Sequence, residues 1–231
     1  MLASSAHSQR SPLTGTTIAV DPGHNGRNWA HPEKINRLVD AGTLRKACDT
    51  TGTATASGYT EPAFTFDVAV RLRRILRRAG AKVVLTRASN SGWGPCITER
   101  AAIGNRARAD AAVSIHADGG PPSGRGFHVI YPAPIPGLTN DIAKPSKCLA
   151  LSMRRAYRAG TGLPLATYVG GRGLSMRSDL GGLNLSDVPK VFVETGNMRN
   201  ARDARLLEGP AFRERIARSI ATGLARFFSV C

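Results

Sequence analysis

Apolar and polar residues alternate along four short runs, TTIAVD (16–21), AKVVLTR (81–87), DAAVSIH (110–116) and PKVFVE (189–194). They are rich in β-branched residues and bounded by turn residues, which predicts strands. RGFHVIYP (125–132) alternates in the same way, and LATYVGG (165–171) is read as one more strand. Between these runs the apolar spacing becomes helical. Over 62–79, Val68, Leu72, Ile75, Leu76 and Ala79 fall on one face and the arginines on the other. Pro62 suits a first helical turn and Gly80 a stop. Further helices are predicted from 97 or 98 to 109, over 141–159 and over 210–228. Strands separated by helices imply right-handed crossovers. The expected fold is therefore α/β, a three-layer domain with a mainly parallel central sheet and helices on both faces.

Three stretches stand outside this pattern. Residues 1–15 are small, polar and aperiodic and read as a disordered leader, leaving 16–231 as a single domain. Residues 27–59 are rich in Gly, Thr, Asp and Asn, carry Cys48, and are too long for an ordinary connection, so a flap or insertion is expected there. Residues 160–188 read as a glycine-rich loop.

The polar residues at the element ends carry the candidate chemistry. In a parallel sheet the C-terminal strand ends share one edge, where ligands bind. His24 follows the first strand, His116 and Glu194 end theirs, and Glu61 opens the long helix from the same edge. Two histidines and a carboxylate with an open fourth position describe a catalytic zinc site, and a further unligated glutamate can act as general base. The pattern alone leaves open which glutamate takes which part. His7 in the leader, His31 in the flap and His128 in an alternating strand are read as non-ligands. No nucleophile elbow, phosphate loop or H-E-x-x-H motif is present.

The formal net charge is +16, from 32 Lys and Arg against 16 Asp and Glu, which favours an anionic partner. Much of it sits on solvent-facing helix positions such as RLRRILRR (71–78), without RNP-like aromatics or zinc-finger spacing, so no nucleic acid is expected. No apolar run approaches the roughly 18 residues of a membrane span. The four cysteines show no C-x-x-C spacing, which excludes zinc-ribbon and thioredoxin-like motifs.

IAVDPGHNG, EPAFTFDVAVRLRRILRRAGAKVVLTR, ERAAIGNRARADAAVSIHAD, GFHVIY and PKVFVETGNMRNARDARLL follow one another in order. On these segments the chain resembles the zinc-dependent N-acetylmuramoyl-L-alanine amidases of the type-3 family, which hydrolyse peptidoglycan. The resemblance extends from Thr16 to Phe228. It implies that His24, Glu61 and His116 bind one Zn2+ per chain and that Glu194 is catalytic. It also implies the bond cut, the amide between N-acetylmuramic acid and the L-Ala of the stem peptide, in peptidoglycan or muropeptide fragments. Without an appended wall-binding module, the chain is similar to the stand-alone secreted mycobacterial members: a single catalytic domain, read as a monomer, working in the periplasm or cell wall after export. Three features depart from the family pattern: the long segment between His24 and Glu61, Pro62 after the glutamate, and Asn197 and Arg199 after the catalytic position.

Cys48 in the flap and Cys96 before the 97–109 helix both belong to segments that would rim the site, so a disulfide between them is expected. Four cysteines allow three pairings, and four free thiols are the alternative. Two rival functions stand beside the amidase: a non-catalytic basic module that grips an anionic envelope polymer or nucleic acid, and a zinc peptidase that cuts stem peptides.

Overall fold

The computed structural model describes residues 11–231; His7 and the first ten residues of the expected leader lie outside them. In chain order the elements are β1 (Thr17–Pro22), α1 (Pro32–Ile35), β2 (Leu38–Asp40), β3 (Arg45–Ala47), α2 (Glu61–Arg78), β4 (Lys82–Leu85), α3 (Ile97–Arg106) and β5 (Ala111–Asp118). There follow β6 (His128–Pro132), α4 (Ala143–Thr161), β7 (Leu174–Arg177), α5 (Gly181–Asn184), β8 (Lys190–Asn197), α6 (Ala201–Glu208) and α7 (Pro210–Val230). Six strands form the central sheet in the order β4-β1-β5-β8-β6-β7. Its pairs are parallel except β6 with β8. This is the expected α/β architecture, with one antiparallel junction that alternation does not encode.

Each strand divides its residues between two unlike faces. Ile18 and Val20 of β1, Val113 and Ile115 of β5, and Val191 and Val193 of β8 join one apolar core with Phe64, Val68, Leu72 and Leu76 of α2 and with residues of α4 and α7. The four α2 residues recur every four positions, so one stripe is buried and the arginines of the same helix are left outward. The opposite face carries Asp21, Ser114, His116, Phe192 and Glu194, under the short helices α3 and α5 and the segment between β1 and α2. Long helices therefore supply stability from one side, and the other side is left for chemistry.

Two expectations need adjusting. Ser11–Gly15 form a turn, with Leu13 buried in the core and the Gly15 N–H donating to Gly80 O, so the chain is already packed before β1. Over 165–171 only Leu165 pairs in β fashion, as an isolated bridge to Phe127. The strand of that region is instead β7, which pairs with β6 from Leu174 onward. The stretch 27–59 has structure of its own: a 3-10 turn at Asn28–Ala30, α1, and the β2–β3 hairpin. The hairpin is docked against α5 and the loop before it, through Thr43 Oγ1 to Ser178 O (2.6 Å), Lys46 Nζ to Asp179 O (3.0 Å) and Asn184 Nδ2 to Ala41 O (2.9 Å).

Candidate metal centre

The turn after β1 puts His24 in the left-handed region (φ 58). Few side chains adopt this conformation, and here two buried arginines and a hydroxyl enforce it. Arg87 donates to Pro22 O (3.0 Å) and Arg100 to Pro22 O and His24 O (both 2.8 Å), while Thr65 Oγ1 donates to Gly23 O (2.8 Å). The preceding residue must be glycine, because a Cβ at position 23 would overlap the His116 ring. His116 arrives on β5, opposite Glu194 of β8 in register, with its ring stacked on Phe192 (centroids 5.1 Å, interplanar 5°).

Glu61, only 4% exposed at the start of α2, joins the two histidines. Its Oε1 lies 3.2 Å from His24 Nε2 and 3.0 Å from His116 Nδ1. Backbone donors fix both carboxylate oxygens: Ala117 N to Oε1 (3.2 Å) and Thr53 N to Oε2 (3.0 Å). The other His24 nitrogen, Nδ1, is 3.1 Å from Thr50 O and 3.4 Å from Asp49 Oδ1. A carbonyl can only accept, so Nδ1 donates to Thr50 O, which leaves Nε2 as the nitrogen that faces Glu61 and could bind a metal.

This donor set fits a tetrahedral metal ion. The three donor atoms lie within 4.8 Å of one another, and two of the separations approach the roughly 3.3 Å between ligands bonded about 2.0 Å from one zinc. The electrostatics agree. Burial lowers the His24 imidazole, but Glu61 and Asp49 outweigh it and push its pKa up to about 10. Burial raises Glu61, yet the two histidines hold it well below the usual carboxylate range. The position between these residues is built to hold positive charge.

Glu194 is not one of the three converging residues. It stands beside His116 on the wall of a cleft of about 400 Å³ that is also lined by Thr51, Gly119, Ile130, Arg177 and Leu180. Desolvation, then the carboxylates of Glu61 and Asp118, push its pKa well above the usual carboxylate range. The structure thus brings all four sequence-predicted residues to one cleft, three converging and one apart. His128 lies opposite Glu194 on the antiparallel side, buried and outside the trio, and His31 packs against Trp93 in the 27–59 segment.

The profile of the N-acetylmuramoyl-L-alanine amidase family matches residues 18–226. The chain belongs to this family. It is 44% identical over 227 residues to the N-acetylmuramoyl-L-alanine amidase Rv3717 of Mycobacterium tuberculosis, covering 98% of this chain and 92% of that protein. Among solved structures, the amidase Ami1 of Mycobacterium smegmatis superposes with a TM-score of 0.89 at 44% identity, covering 95% of this chain and 99% of that one. Ami1 of Mycobacterium abscessus gives 0.86 at 42%, over 93% and 99%. The protein is thus an N-acetylmuramoyl-L-alanine amidase, a cell-wall hydrolase whose substrate is peptidoglycan.

Sequence reasoning missed the residues that hold this amidase's centre in place. Asp49 takes a hydrogen bond from Asn25 Nδ2 (2.7 Å) and pairs with Arg100 (3.3 Å) while it faces His24. Arg100 also pairs with Asp21 (2.7 Å), whose other oxygen faces the buried Lys190 (3.6 Å). The one available signal was Asp21 itself, a carboxylate placed inside an otherwise apolar strand. Cys48 and Cys96 are joined by a disulfide that ties the segment bearing Asp49 to the start of α3, and a second disulfide joins Cys148 of α4 to Cys231. Two disulfides point to an oxidising, extracytoplasmic compartment. Among the described residues no helix is long and apolar enough to cross a membrane.

Proposed function

We propose that the amidase is zinc-dependent, with one ion per chain held by His24, Glu61 and His116, and that Glu194 is its catalytic base and acid. The observation that carries this reading is the convergence of His24 Nε2 and His116 Nδ1 on Glu61 Oε1, at 3.2 and 3.0 Å, with Glu194 set apart on the same cleft wall. When bound, zinc supplies a Lewis acid that polarises the amide carbonyl and makes water a usable nucleophile near neutral pH. Glu61 offsets part of the ion's charge, and its oxygens cannot turn away because Ala117 N and Thr53 N hold them. Phe192 and the Thr50 carbonyl fix the planes of the two imidazoles.

The Glu194 carboxylate takes a proton from the water that attacks the lactyl carbonyl carbon. A C–O bond forms and the C–N bond breaks, and Glu194 returns the proton to the departing L-Ala nitrogen. The products are a muramic acid carboxylate and a stem peptide with a free amine. We assign this activity to 16–231 as one catalytic domain, monomeric and exported to the periplasm or cell wall, with 27–59 as a flap on the cleft. The +16 charge supports residence near anionic wall polymer.

The test combines metal analysis of the purified protein with mass analysis of digested muropeptides. The expected result is one zinc per chain and products 18 Da heavier in total than the substrate, split at the lactyl–L-Ala amide, the mass being that of the one water consumed (about 18 Da). Cleavage within the stem peptide would make the enzyme a zinc peptidase. Undiminished turnover in excess chelator, by protein without metal, would remove zinc from the mechanism.

A further inference from the structure

The arginines of this chain differ in their partners. On the outer surface of α2 and α7, Arg71, Arg74, Arg213 and Arg218 share the carboxylates of Asp67 and Glu214. Arg154, Arg155 and Arg158 of α4 have no such company. With Arg172, from the loop before β7, they line an open depression of about 610 Å³ whose remaining walls are Ala159 and Leu165. No carboxylate lines it, and the first ten residues, MLASSAHSQR, contain neither Asp nor Glu. Four positive charges therefore meet at one place without an acidic side chain among them. Arg154 and Arg158, one turn apart, are like charges at a spacing that destabilises a helix. The backbone holds Arg172 to the same place. It sits in the left-handed region (φ 53, ψ 48), which side chains seldom adopt, and Arg154 Nη1 donates to its carbonyl (3.0 Å). Leu165 packs so closely on Gly173 that a Cβ there would come within 2.7 Å of it, which seats the loop on a residue that lines the depression. Strained residues of this kind concentrate where ligands are clamped.

We propose that Arg154, Arg155, Arg158 and Arg172 form a phosphate-binding site that anchors the enzyme to a phosphodiester-linked polymer of the cell wall. This rests on the reading that the amidase works in the wall, and it is independent of the metal and of Glu194. A guanidinium presents paired N–H donors that match two oxygens of a phosphate. A carboxylate is planar and is filled by one or two such forks, whereas a tetrahedral phosphate accepts from forks that arrive out of one plane, as those of a helix and a separate loop do. The surroundings select the source of the phosphate. No aromatic ring lines the depression to stack a base, which disfavours a nucleic acid. Leu151 is the one exposed large apolar residue of α4, too little to insert among lipid chains. A polymer that repeats a phosphate along its length needs no more than an open, charged surface, and that is what the four arginines make.

The test titrates intact protein, by calorimetry at low salt, with poly(ribitol phosphate), with poly-γ-glutamate of matched charge and with phosphatidylglycerol vesicles. The expected result is that poly(ribitol phosphate) binds best. Arg154→Gln/Arg158→Gln/Arg172→Gln should raise its Kd about tenfold to 100-fold, the loss of three phosphate contacts. Arg73→Gln/Arg77→Gln/Arg78→Gln removes the same number of charges from α2, outside the depression, and should raise it by less than about threefold, because distant charges are screened. Melting temperatures show whether both variants fold, and Arg158→Gln alone, with an expected rise of about threefold, serves if the first does not. An equal loss in the two triple variants would make binding a matter of overall charge and overturn the site. Tighter binding of poly-γ-glutamate, or of the vesicles, would assign the arginines to carboxylates or to a membrane and overturn it as well. Muropeptide hydrolysis by the same wild-type preparation separates this proposal from the catalytic one. Hydrolysis without polymer binding removes the site alone, and polymer binding without hydrolysis removes the proposed catalysis alone.

Discussion

The two faces of the central sheet are made by the same strands and obey opposite rules. On one face Ile18, Val20, Val113, Ile115, Val191 and Val193 meet three long helices in one apolar core. On the other, one residue along each strand, stand Asp21, Ser114, His116, Lys190 and Glu194, and the buried Asp21 is held by its neighbours: Ser114 Oγ donates to Asp21 Oδ2 at 2.8 Å and Thr86 Oγ1 to Asp21 Oδ1 at 2.6 Å. Apolar burial at roughly 25 cal/mol per Å² makes the first face the source of stability. The second face consumes stability, because every buried charge there must be matched by a partner. The difference teaches that folding and catalysis are separable in this molecule by the parity of a residue's position along a strand.

The largest expected effect confines itself to the polar face. Glu194→Gln should lower turnover about 100-fold to 10,000-fold, the contribution of a positioned general base, with zinc content and melting temperature unchanged. Zinc occupancy and turnover are measured on the same preparation. A fully metallated variant with near-normal turnover would remove Glu194 from the chemistry. A parallel loss of metal, about 10-fold to 100-fold in affinity, would make it a positioning residue for a zinc histidine.

Asp21 is where the polar face should reach into folding. Burial raises its carboxyl pKa, but Arg100 and Lys190, with a hydrogen bond from Thr86, outweigh it and hold it well below the ordinary carboxylate value. The folded value lies below the unfolded one, so the stabilisation is complete above about pH 4 and is lost as the pH falls through that range. Asp21→Asn leaves two buried cations short of a partner and should cost about 3–5 kcal/mol. It should also flatten the pH dependence of stability below about pH 4. Urea denaturation at several pH values measures both. An unchanged acid slope would mean that other carboxylates govern acid unfolding.

On the apolar face the expectation reverses. Leu72 is fully buried in the core, and Leu72→Ala should cost about 2–5 kcal/mol of stability. Turnover per folded molecule should stay at the wild-type level, because Leu72 belongs to the apolar core and not to the cleft lining. Active-site titration beside the denaturation curve checks this, and a matched fall in turnover per folded molecule would join the two faces that the sheet separates.

The same contrast explains what could be read in advance. Alternation marks both faces at once, so the strands and the candidate residues at or just past their ends, His24, His116 and Glu194, were legible, while Glu61 was marked by the start of α2. Strand direction is not written in alternation, and the antiparallel β6 therefore went unseen. The 165–171 run resembles a strand, but the Tyr168 ring is used to pack against Gly120 and Gly124, and Gly171 turns the chain at φ +70. Only the short edge strand that follows pairs. The supporting groups were invisible for another reason. Arg100 lies 76 residues from the His24 carbonyl it holds, and nothing in a helical RAAIGNR segment distinguishes a buried arginine from the solvated ones of α2. The disulfide partners were legible as neighbours of the site, whereas Asp49, next to Cys48, was passed over because its contacts exist only after the flap has folded back.

Asp49 yields the smallest and most discriminating prediction. It faces His24 Nδ1 at 3.4 Å, and Asn25 and Arg100 orient it in turn, so its carboxylate aligns the imidazole whose far nitrogen meets Glu61. The Thr50 carbonyl shares that task at 3.1 Å, so removing the carboxylate's charge should loosen the ring without releasing it. Asp49→Asn keeps the shape and an acceptor oxygen but lowers the basicity passed to Nε2. Zinc affinity should fall about 10-fold to 100-fold, as expected when a group that orients a metal-binding histidine is altered. Under saturating zinc, turnover should recover to near the wild-type level, because Glu194 is untouched. Competition with a chromogenic chelator gives the affinity, and muropeptide hydrolysis across a zinc titration gives the recovery. Turnover that stays low at full occupancy would show that Asp49 shapes the reaction itself. Unchanged zinc affinity would leave the backbone carbonyl as the sole orienting group and reduce Asp49 to a partner for Arg100.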